Sequence, residues 1–176
     1  HMDWPGVDKL SRHTQQTVTI KQVSSVSEQL NKEKTFCEVF GCTGHTFSFK
    51  GRRWIHNWEA ALGINFVNHH LSHYTMAGER KRDYPPNFFY QQPYWHYEKG
   101  MSDYIAKVNS LLTNGKREID ILVLHPIGTA WAEFDVLSYY KNISPSVWSI
   151  ELQKLADSLL ANRLDFHFGD ETIINR

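Results

Sequence analysis

One carboxylate stands in an otherwise apolar run of this chain. Residues 35–44 read TFCEVFGCTG, and Glu38 is the acid among the phenylalanines, cysteine and valine. Acids are unfavourable inside strands unless they are exposed, paired or used chemically, and α/β enzymes place their chemistry at the C-terminal ends of parallel strands. Glu38 is therefore predicted to be a catalytic carboxylate. The alternative is an edge-strand glutamate or an ion pair with Arg52 or Arg53.

A polar group follows the next predicted strand. Asn68, His69 and His70 come directly after the run Ile-Asn-Phe-Val at 64–67. Neighbouring ends of parallel strands meet at one rim, so this pattern predicts that the three side chains lie near Glu38. A carboxylate, an amide and imidazoles together can bind a hydroxyl-rich ligand or transfer protons.

The histidines also allow a metal-dependent hydrolase as an alternative. His69 and His73 would share one face of a helix, which is a spacing that suits a metal. The intervening residues are His70, Leu71 and Ser72, so the acid of an H-E-x-x-H motif is missing. We predict no metal ligands here and expect these histidines, His73 included, to hydrogen-bond to a ligand or to the loop backbone.

A basic and aromatic segment lies between the polar rim and the next helix. Residues 78–84 read GERKRDY, and aromatic residues follow as far as position 97. Rings interleaved with cations can bind single-stranded nucleic acid, but the acids bracketing the cluster argue against a nucleic-acid partner. Arg82 and Trp95 are predicted to form part of a sugar-binding wall. Ion pairs that hold the loop, and rings that plug the end of a barrel, are the structural alternatives.

Composition limits the function classes further. The formal net charge of the 176 residues is zero, so the whole chain carries no electrostatic footprint for nucleic acid. Six Trp, eight Tyr and ten Phe fit carbohydrate binding, although a large core would use them as well. No apolar run approaches the length that spans a membrane, and the residues themselves leave the compartment undetermined.

The periodicity of the chain predicts an α/β fold with a parallel sheet. Residues 3–18 are polar and turn-rich and are predicted to be a loop. A composition break near 116–118 predicts a domain boundary, with 1–117 before it and 118–176 after it. The predicted helices are 21–32, 53–62, 98–112 and 146–162, with Gly63 ending the second, and the predicted strands are 35–40, 64–67, 119–124 and 164–168.

Several segments of the chain, in the order in which they occur, resemble those of a known enzyme family. They are KQVSSVSEQLNKEKTFCEVFGCTG, WIHNWEAALGINFVNHH, GERKRDYPP, QPYW and DILVLHP, spread over about residues 5–135. Together they resemble the later part of the catalytic region in glycoside hydrolases of the family 106 type, the α-L-rhamnosidase-like enzymes. Family 42 β-galactosidases have a similar layout, in which a (β/α)₈ barrel precedes a glutamine-amidotransferase-like domain.

The resemblance implies a fold and a set of roles. Residues 1–117 would be the C-terminal portion of a (β/α)₈ barrel, with 35–40 as its seventh strand and 64–69 as its eighth. Residues 118–176 would begin a Rossmann-like or flavodoxin-like βαβ domain. Glu38 would be the base or nucleophile, and its partner acid would come from an earlier strand outside this chain.

The resemblance also implies properties of the protein as a whole. Its partner would be a carbohydrate, calcium is the one cofactor that the family allows, and a bacterial secreted or periplasmic location would be typical. A piece carrying one of the two carboxylates is expected to be inactive alone. The exposed strand edges of an incomplete barrel are expected to favour self-association. A non-catalytic carbohydrate-binding remnant is the rival interpretation.

Overall fold

The computed structural model describes residues 3–82, 84–136 and 147–175. The chain divides into two compact units, with one ending at Arg117 and the other beginning at Glu118. Both units are mixed α/β structures with small parallel sheets. Of the helices in the described ranges, none is both long and apolar enough to cross a membrane.

The first unit is a three-stranded parallel sheet with helices between its strands. The strand order follows the chain, β1-β2-β3. This order is usual where a helix after each strand leads the chain to a parallel strand directly beside the one before it. The strands are β1 (Gly6–Lys9), β2 (Phe36–Val39) and β3 (Phe66–His69), and the helices are α1 (Thr17–Gln29), α2 (Phe49–Ala61) and α3 (Trp95–Asn114), with a 3₁₀ turn at Gly78–Arg82.

Strand β1 corrects the prediction that residues 3–18 form a loop. It has four residues, and a stretch this short shows no readable alternation. Pairing with β2 stabilises it: the Phe36 N–H donates to the Pro5 carbonyl at 2.9 Å, and the Ser11 N–H donates to the Gly41 carbonyl at 2.8 Å. The strand therefore depends on its neighbour more than on its own sequence.

The two faces of this sheet differ in burial. Lys9, Cys37 and Val39 are fully buried on the side that contacts α2, where the Cys37 Sγ lies 3.9 Å from Glu59 Oε1. On the opposite side Asp8 is exposed and Glu38 is half-buried. Side chains alternate between faces along a strand, so one face forms the core with the helices and the other carries Glu38.

Helix bounds differ from the predictions chiefly at their first turns. The α2 helix begins at Phe49 because Ser48 caps it, with the Ser48 hydroxyl accepting from the Gly51 N–H at 3.2 Å. The prediction that Gly63 ends this helix is confirmed, since Gly63 follows the C-cap residue and has a φ of +108°. Helix α3 begins at Trp95, three residues earlier than predicted.

A buried ion pair joins α2 to α3. The Arg52 guanidinium donates two hydrogen bonds of 2.7 Å to the two carboxylate oxygens of Glu98. Rings surround the guanidinium, whose Cζ lies 4.6 Å from the Phe49 ring centroid and 4.5 Å from that of Phe88. Because water is excluded here, the two charges compensate each other through this bidentate pair of hydrogen bonds.

The second unit contains a two-stranded parallel sheet. Its strands pair in register, with Val123 opposite Phe168. The helix predicted at 146–162 is present from Val147, while residue 146 lies outside the described residues. The elements are β4 (Leu122–Leu124), α4 (Ile127–Glu133), α5 (Val147–Ala161), β5 (His167–Gly169) and α6 (Glu171–Ile174). The assignment of the two units as barrel and amidotransferase-like domains stays a prediction.

Candidate functional site

Three polar side chains form one row across the open face of the first sheet. The register places Asp8 of β1 beside Glu38 of β2, and Glu38 beside Asn68 of β3. Side chains of paired residues in a sheet project to the same face, and neighbouring strands lie about 4.8 Å apart. Asp8, Glu38 and Asn68 therefore share a single row near the C-terminal ends of the strands.

The Glu38 carboxylate is available for chemistry. Within the described residues, no hydrogen bond or ion pair engages it. The two arginines considered as partners are used elsewhere: Arg52 pairs with Glu98, and the Arg53 Cζ lies 4.1 Å from the centroid of the Tyr104 ring. The ion-pair alternative for Glu38 is therefore wrong.

An aromatic row lies directly before the polar one on the same face. Phe36 and Phe66 are paired in register and their ring centroids are 6.0 Å apart. Trp4 adds a third ring 5.4 Å from Phe66, and it is 47% exposed. Rings beside a carboxylate and an amide offer a ligand both apolar contact and hydrogen bonds.

The structure separates His69 from the other predicted rim residues. Strand β3 runs two residues further than predicted, so His69 lies inside it and projects to the face opposite Asn68. Its ring contacts Phe40 and Phe88, with centroids 5.1 and 5.9 Å away. Burial and the nearby Arg52 guanidinium together lower the pKa of His69 to about 4, although Glu98 acts to raise it. The expected approach of His69 to Glu38 on one rim is therefore corrected.

His70 and His73 lie on the chain that follows β3, and the helical spacing considered for His69 and His73 is wrong. His70 is near the end of β2, with its ring centroid 6.4 Å from that of Tyr84. His73 is buried, and its backbone N–H donates to Asn87 Oδ1 at 2.9 Å. The segment is not helical, so these histidines do not share a face.

Arg82 and Trp95 have their own local partners. Arg82 forms an exposed ion pair with Glu79 at 3.2 Å, as the structural alternative for this loop predicts. Trp95 begins α3 and packs edge-on against Phe89, with ring centroids 5.3 Å apart. Within the part of the chain that the structure describes, no hydrogen bond, ion pair or ring contact joins either side chain to Glu38, so their role in binding sugar stays a prediction.

His45 holds the long loop that follows β3. Its Nε2 lies 2.8 Å from the Lys81 carbonyl, and its Nδ1 accepts from the Asn87 N–H at 3.4 Å and lies 3.0 Å from Gln92 Nε2. A neutral imidazole with the proton on Nε2 satisfies all three contacts. Sequence reasoning assigned no role to His45, because the partners lie at least 36 positions away.

A second cluster of ionisable groups occupies the buried face. Glu59 is fully buried, and burial raises its pKa to about 8 although Lys9 lowers it. Burial also raises the pKa of the Cys37 thiol. His56 is fully buried, and burial together with His69 lowers its pKa to about 4. These groups lie among core residues, away from the row on the open face.

The described residues do not fit the calcium ion that the resemblance allows. Calcium takes six to eight oxygen ligands. Across residues 3–82, 84–136 and 147–175, no group of three or more histidine, cysteine, aspartate or glutamate side chains is placed to hold a metal ion. Asp8 and Glu38 supply two carboxylates and Asn68 an amide, which leaves such an ion under-coordinated by this chain.

Comparison with known proteins gives one structural likeness. No protein-family model matches the chain, and no curated protein matches it in sequence. The fold is similar to the structure of a rhamnosidase from Novosphingobium sp. PP1Y, with a TM-score of 0.67 and 16% sequence identity. The match covers 98% of this chain and 16% of the rhamnosidase chain. The present chain therefore spans about a sixth of that protein and shares the fold of that part.

Proposed function

We propose that this chain is part of a glycoside hydrolase of the α-L-rhamnosidase-like type, with Glu38 as its base or nucleophile. The observation that carries the proposal is the position of Glu38, which lies unpaired among the described residues at the C-terminal end of a central parallel strand. The fold likeness to a rhamnosidase supports the same enzyme class. The three parallel strands would then be part of a (β/α)₈ barrel whose inner face is the one bearing Glu38.

Hydrolysis of a glycosidic bond needs a second carboxylic acid. In this reaction an acid protonates the departing oxygen while a carboxylate activates water or attacks the anomeric carbon. Asp8 is adjacent to Glu38 on the same wall of the sheet, whereas the two catalytic groups flank the bond from opposite sides. We therefore assign the acid to a strand outside this chain, and Asp8 and Asn68 to the binding of sugar hydroxyls.

The proposed role of Glu38 is tested by Glu38→Gln in the whole enzyme. Glutamine keeps the shape of the side chain but neither accepts the proton nor attacks carbon. We expect kcat on an aryl α-L-rhamnoside to fall by about 10²-fold to 10⁴-fold, the usual contribution of an acid–base group. Glu33→Gln is the matched control, because Glu33 is exposed just before β2, and it should leave kcat unchanged.

Two results would separate the proposal from its rivals. Activity of Glu38→Gln near that of the unchanged enzyme would remove the catalytic role. If the whole protein bound L-rhamnose but hydrolysed none of a panel of aryl glycosides, a carbohydrate-binding remnant would be the better description. By itself this chain is expected to be inactive, since it carries one of the two catalytic carboxylates.

A further inference from the structure

A row of polar side chains lies buried on the face of α2 that packs against the first sheet. Arg52, His56 and Glu59 are all fully buried, and their spacing of four and three residues places them along one side of the helix. Arg52 is held by its two hydrogen bonds to Glu98. In the described part of the chain, the Glu59 Oε2 atom and both ring nitrogens of His56 have no hydrogen-bond partner. The fold therefore leaves polar atoms of two of these side chains unpaired in its interior.

The sheet contributes a further polar group at the same interface. Lys9 of β1 is fully buried on the helix side of the sheet, and its Nζ lies 6.0 Å from the centroid of the Trp58 ring on α2. The Lys9 Nζ donates a hydrogen bond to the Leu10 carbonyl at 2.5 Å. Because an ammonium has three N–H groups, Lys9 can donate to another acceptor as well.

Lys9 and Glu59 are close to each other but not in contact. The positive charge of Lys9 acts to lower the pKa of Glu59, against the larger effect of burial, and Glu59 acts to raise the pKa of Lys9 against the same effect. Charges influence each other strongly over about 4–6 Å. No ion pair or hydrogen bond within the described ranges joins the two side chains. One water molecule bridges a gap of this size, because each of its hydrogen bonds spans about 2.8 Å.

His56 is the neighbour of Glu59 on the helix and offers both a donor and an acceptor. Side chains three residues apart on a helix have Cβ atoms about 5–6 Å apart. Burial, together with the charge of His69, lowers the pKa of His56 to about 4. Near neutral pH its ring therefore has one N–H donor and one acceptor nitrogen. A water molecule both donates and accepts hydrogen bonds, so it suits the ring, the carboxyl group and the ammonium alike.

A metal ion does not fit the same groups. Burial raises the pKa of the Cys37 thiol beside Glu59, whereas a metal binds the thiolate. Across the residues that the structure describes, no three histidine, cysteine or acidic side chains are placed to hold such an ion. The Lys9 ammonium would also repel it. Folded proteins satisfy buried polar groups of this kind with ordered water that contacts two to four polar atoms.

We propose that this interface is a binding site for one internal water molecule, held by Lys9 Nζ, Glu59 Oε2 and one ring nitrogen of His56. The Lys9 ammonium donates to the water oxygen, and the water donates to the acceptor nitrogen of His56. The protonated Glu59 carboxyl supplies the third hydrogen bond. The water joins β1 to α2 on the side of the sheet opposite Glu38. The inference is independent of the glycosidase proposal and requires no catalytic activity.

The first test detects this water by NMR in the full 176-residue chain. A water that stays bound should give cross-relaxation to the ring C–H protons of His56 with the sign of a long-lived contact. The ring of His13, at an exposed position, is the control and should show only the brief contacts of surface water. Oxygen-17 relaxation of the solvent should report the same long-lived water without interference from exchanging protons.

The second test compares two substitutions of Glu59. Glu59→Gln keeps polar atoms at the end of the side chain, whereas Glu59→Met has a similar length and offers no strong hydrogen-bonding group. We expect the oxygen-17 signal to lose the contribution of one long-lived water in Glu59→Met and to keep it in Glu59→Gln. The cross-relaxation to the His56 ring should disappear in the methionine variant alone.

Several results would overturn the proposal. His56 ring protons without a long-lived water contact in the unchanged chain would remove the site, and this measurement decides by itself if Glu59→Met fails to fold. Equal oxygen-17 signals in the two variants would show that Glu59 does not hold the water. A carbon-13 shift of the Glu59 carboxyl that indicates the ionised form well below pH 8 would point to a direct pair with Lys9 in place of the water.

Discussion

At the residue scale, the two faces of one short sheet give similar side chains different chemistry. Glu38 and Glu59 are both carboxylates close to Cys37 in space or sequence, yet Glu38 lies half-buried on the open face and Glu59 is fully buried against α2. Burial disfavours the ionised form of a carboxyl group. The pKa of Glu59 is accordingly raised to about 8, which suits a neutral core residue.

Glu59 should make the stability of the protein depend on pH. Its native pKa of about 8 exceeds the ordinary value of 4.5, so the folded state retains a proton that the unfolded state releases. The stabilisation is complete below pH 4.5 and is lost as pH rises through 8, by up to about 1.4 kcal/mol per pH unit. Glu59→Gln should flatten the fall in the free energy of unfolding between pH 6.5 and 8, measured by urea unfolding, because no other shifted group of the sheet titrates in that range with this sign.

The control for this prediction is Glu79→Gln, because Glu79 is 87% exposed in its side chain. It should reproduce the pH dependence of the unchanged protein. An unchanged slope in Glu59→Gln would show that another group carries the proton uptake.

At the element scale, the Arg52–Glu98 pair fixes α3 against α2. Both side chains are nearly inaccessible, with 1% and 8% exposed. Removing one partner leaves the other charge buried and unpaired, which typically costs about 3–5 kcal/mol. We expect Glu98→Gln to lower the free energy of unfolding by about that amount in urea denaturation.

An exposed ion pair on the same helix supplies the matched control. Lys99 and Asp103 are 2.5 Å apart, with side chains 82% and 53% exposed. Solvent weakens such a pair to less than about 1 kcal/mol, so Asp103→Asn should change stability little. Equal losses in the two variants would mean that burial does not set the strength of the Arg52–Glu98 pair.

His45 should restrain the loop that contains the exposed 3₁₀ turn. Its ring joins the turn at Lys81 to Asn87 and Gln92. Loss of these contacts in His45→Ala should open the loop locally and increase the rate of trypsin cleavage after Arg80, Lys81 or Arg82 several-fold. His13→Ala, at an exposed position, should cleave at the original rate. Unaltered cleavage of His45→Ala would show that other contacts suffice to hold the loop.

At the scale of the whole molecule, two histidines and one carboxyl group whose pKa values are shifted by burial predict a pH at which stability is greatest. His56 and His69 have pKa values lowered to about 4 from 6.5, so their stabilisation is present above pH 6.5 and is lost as pH falls toward 4. As pH rises, the raised pKa of Glu59 lowers the free energy of unfolding. Below pH 6.5, the two histidines increase the free energy of unfolding with rising pH by more than Glu59 decreases it. Between pH 6.5 and 8, only Glu59 of these three groups changes it.

The free energy of unfolding of the first unit should therefore be greatest near pH 6.5. Thermal or urea unfolding across pH 4 to 8 would measure it, and His56→Phe should reduce the loss on the acid side because phenylalanine takes up no proton. Stability that rises steadily from pH 6.5 to 8 would contradict the assignment of the raised pKa to Glu59.

The likeness to a rhamnosidase also belongs to this scale. The chain matches a sixth of that protein, and its first unit presents an open sheet face and a free strand edge. Under the glycosidase proposal, the open face would be the inner wall of a barrel and another strand would supply the second carboxylate. Sequence comparison gave no match, so the likeness lies in the course of the backbone alone.

The sequence by itself determined the α/β class, the main helices and the end of α2 at Gly63. Periodicity over ten or more residues and a glycine at positive φ are local properties that do not need the rest of the fold. It also singled out Glu38, because an acid in an apolar run is unusual wherever it occurs.

Only the tertiary structure decided which side chains meet. Strand β1 is too short to read, and its pairing with β2 is what brings Asp8 beside Glu38. Strand β3 extends to His69, and because successive side chains alternate between faces, His69 lies on the face opposite Asn68 and Glu38. The Arg52–Glu98 pair and the contacts of His45 join residues more than 35 positions apart, and a local pattern carries no information about such pairs.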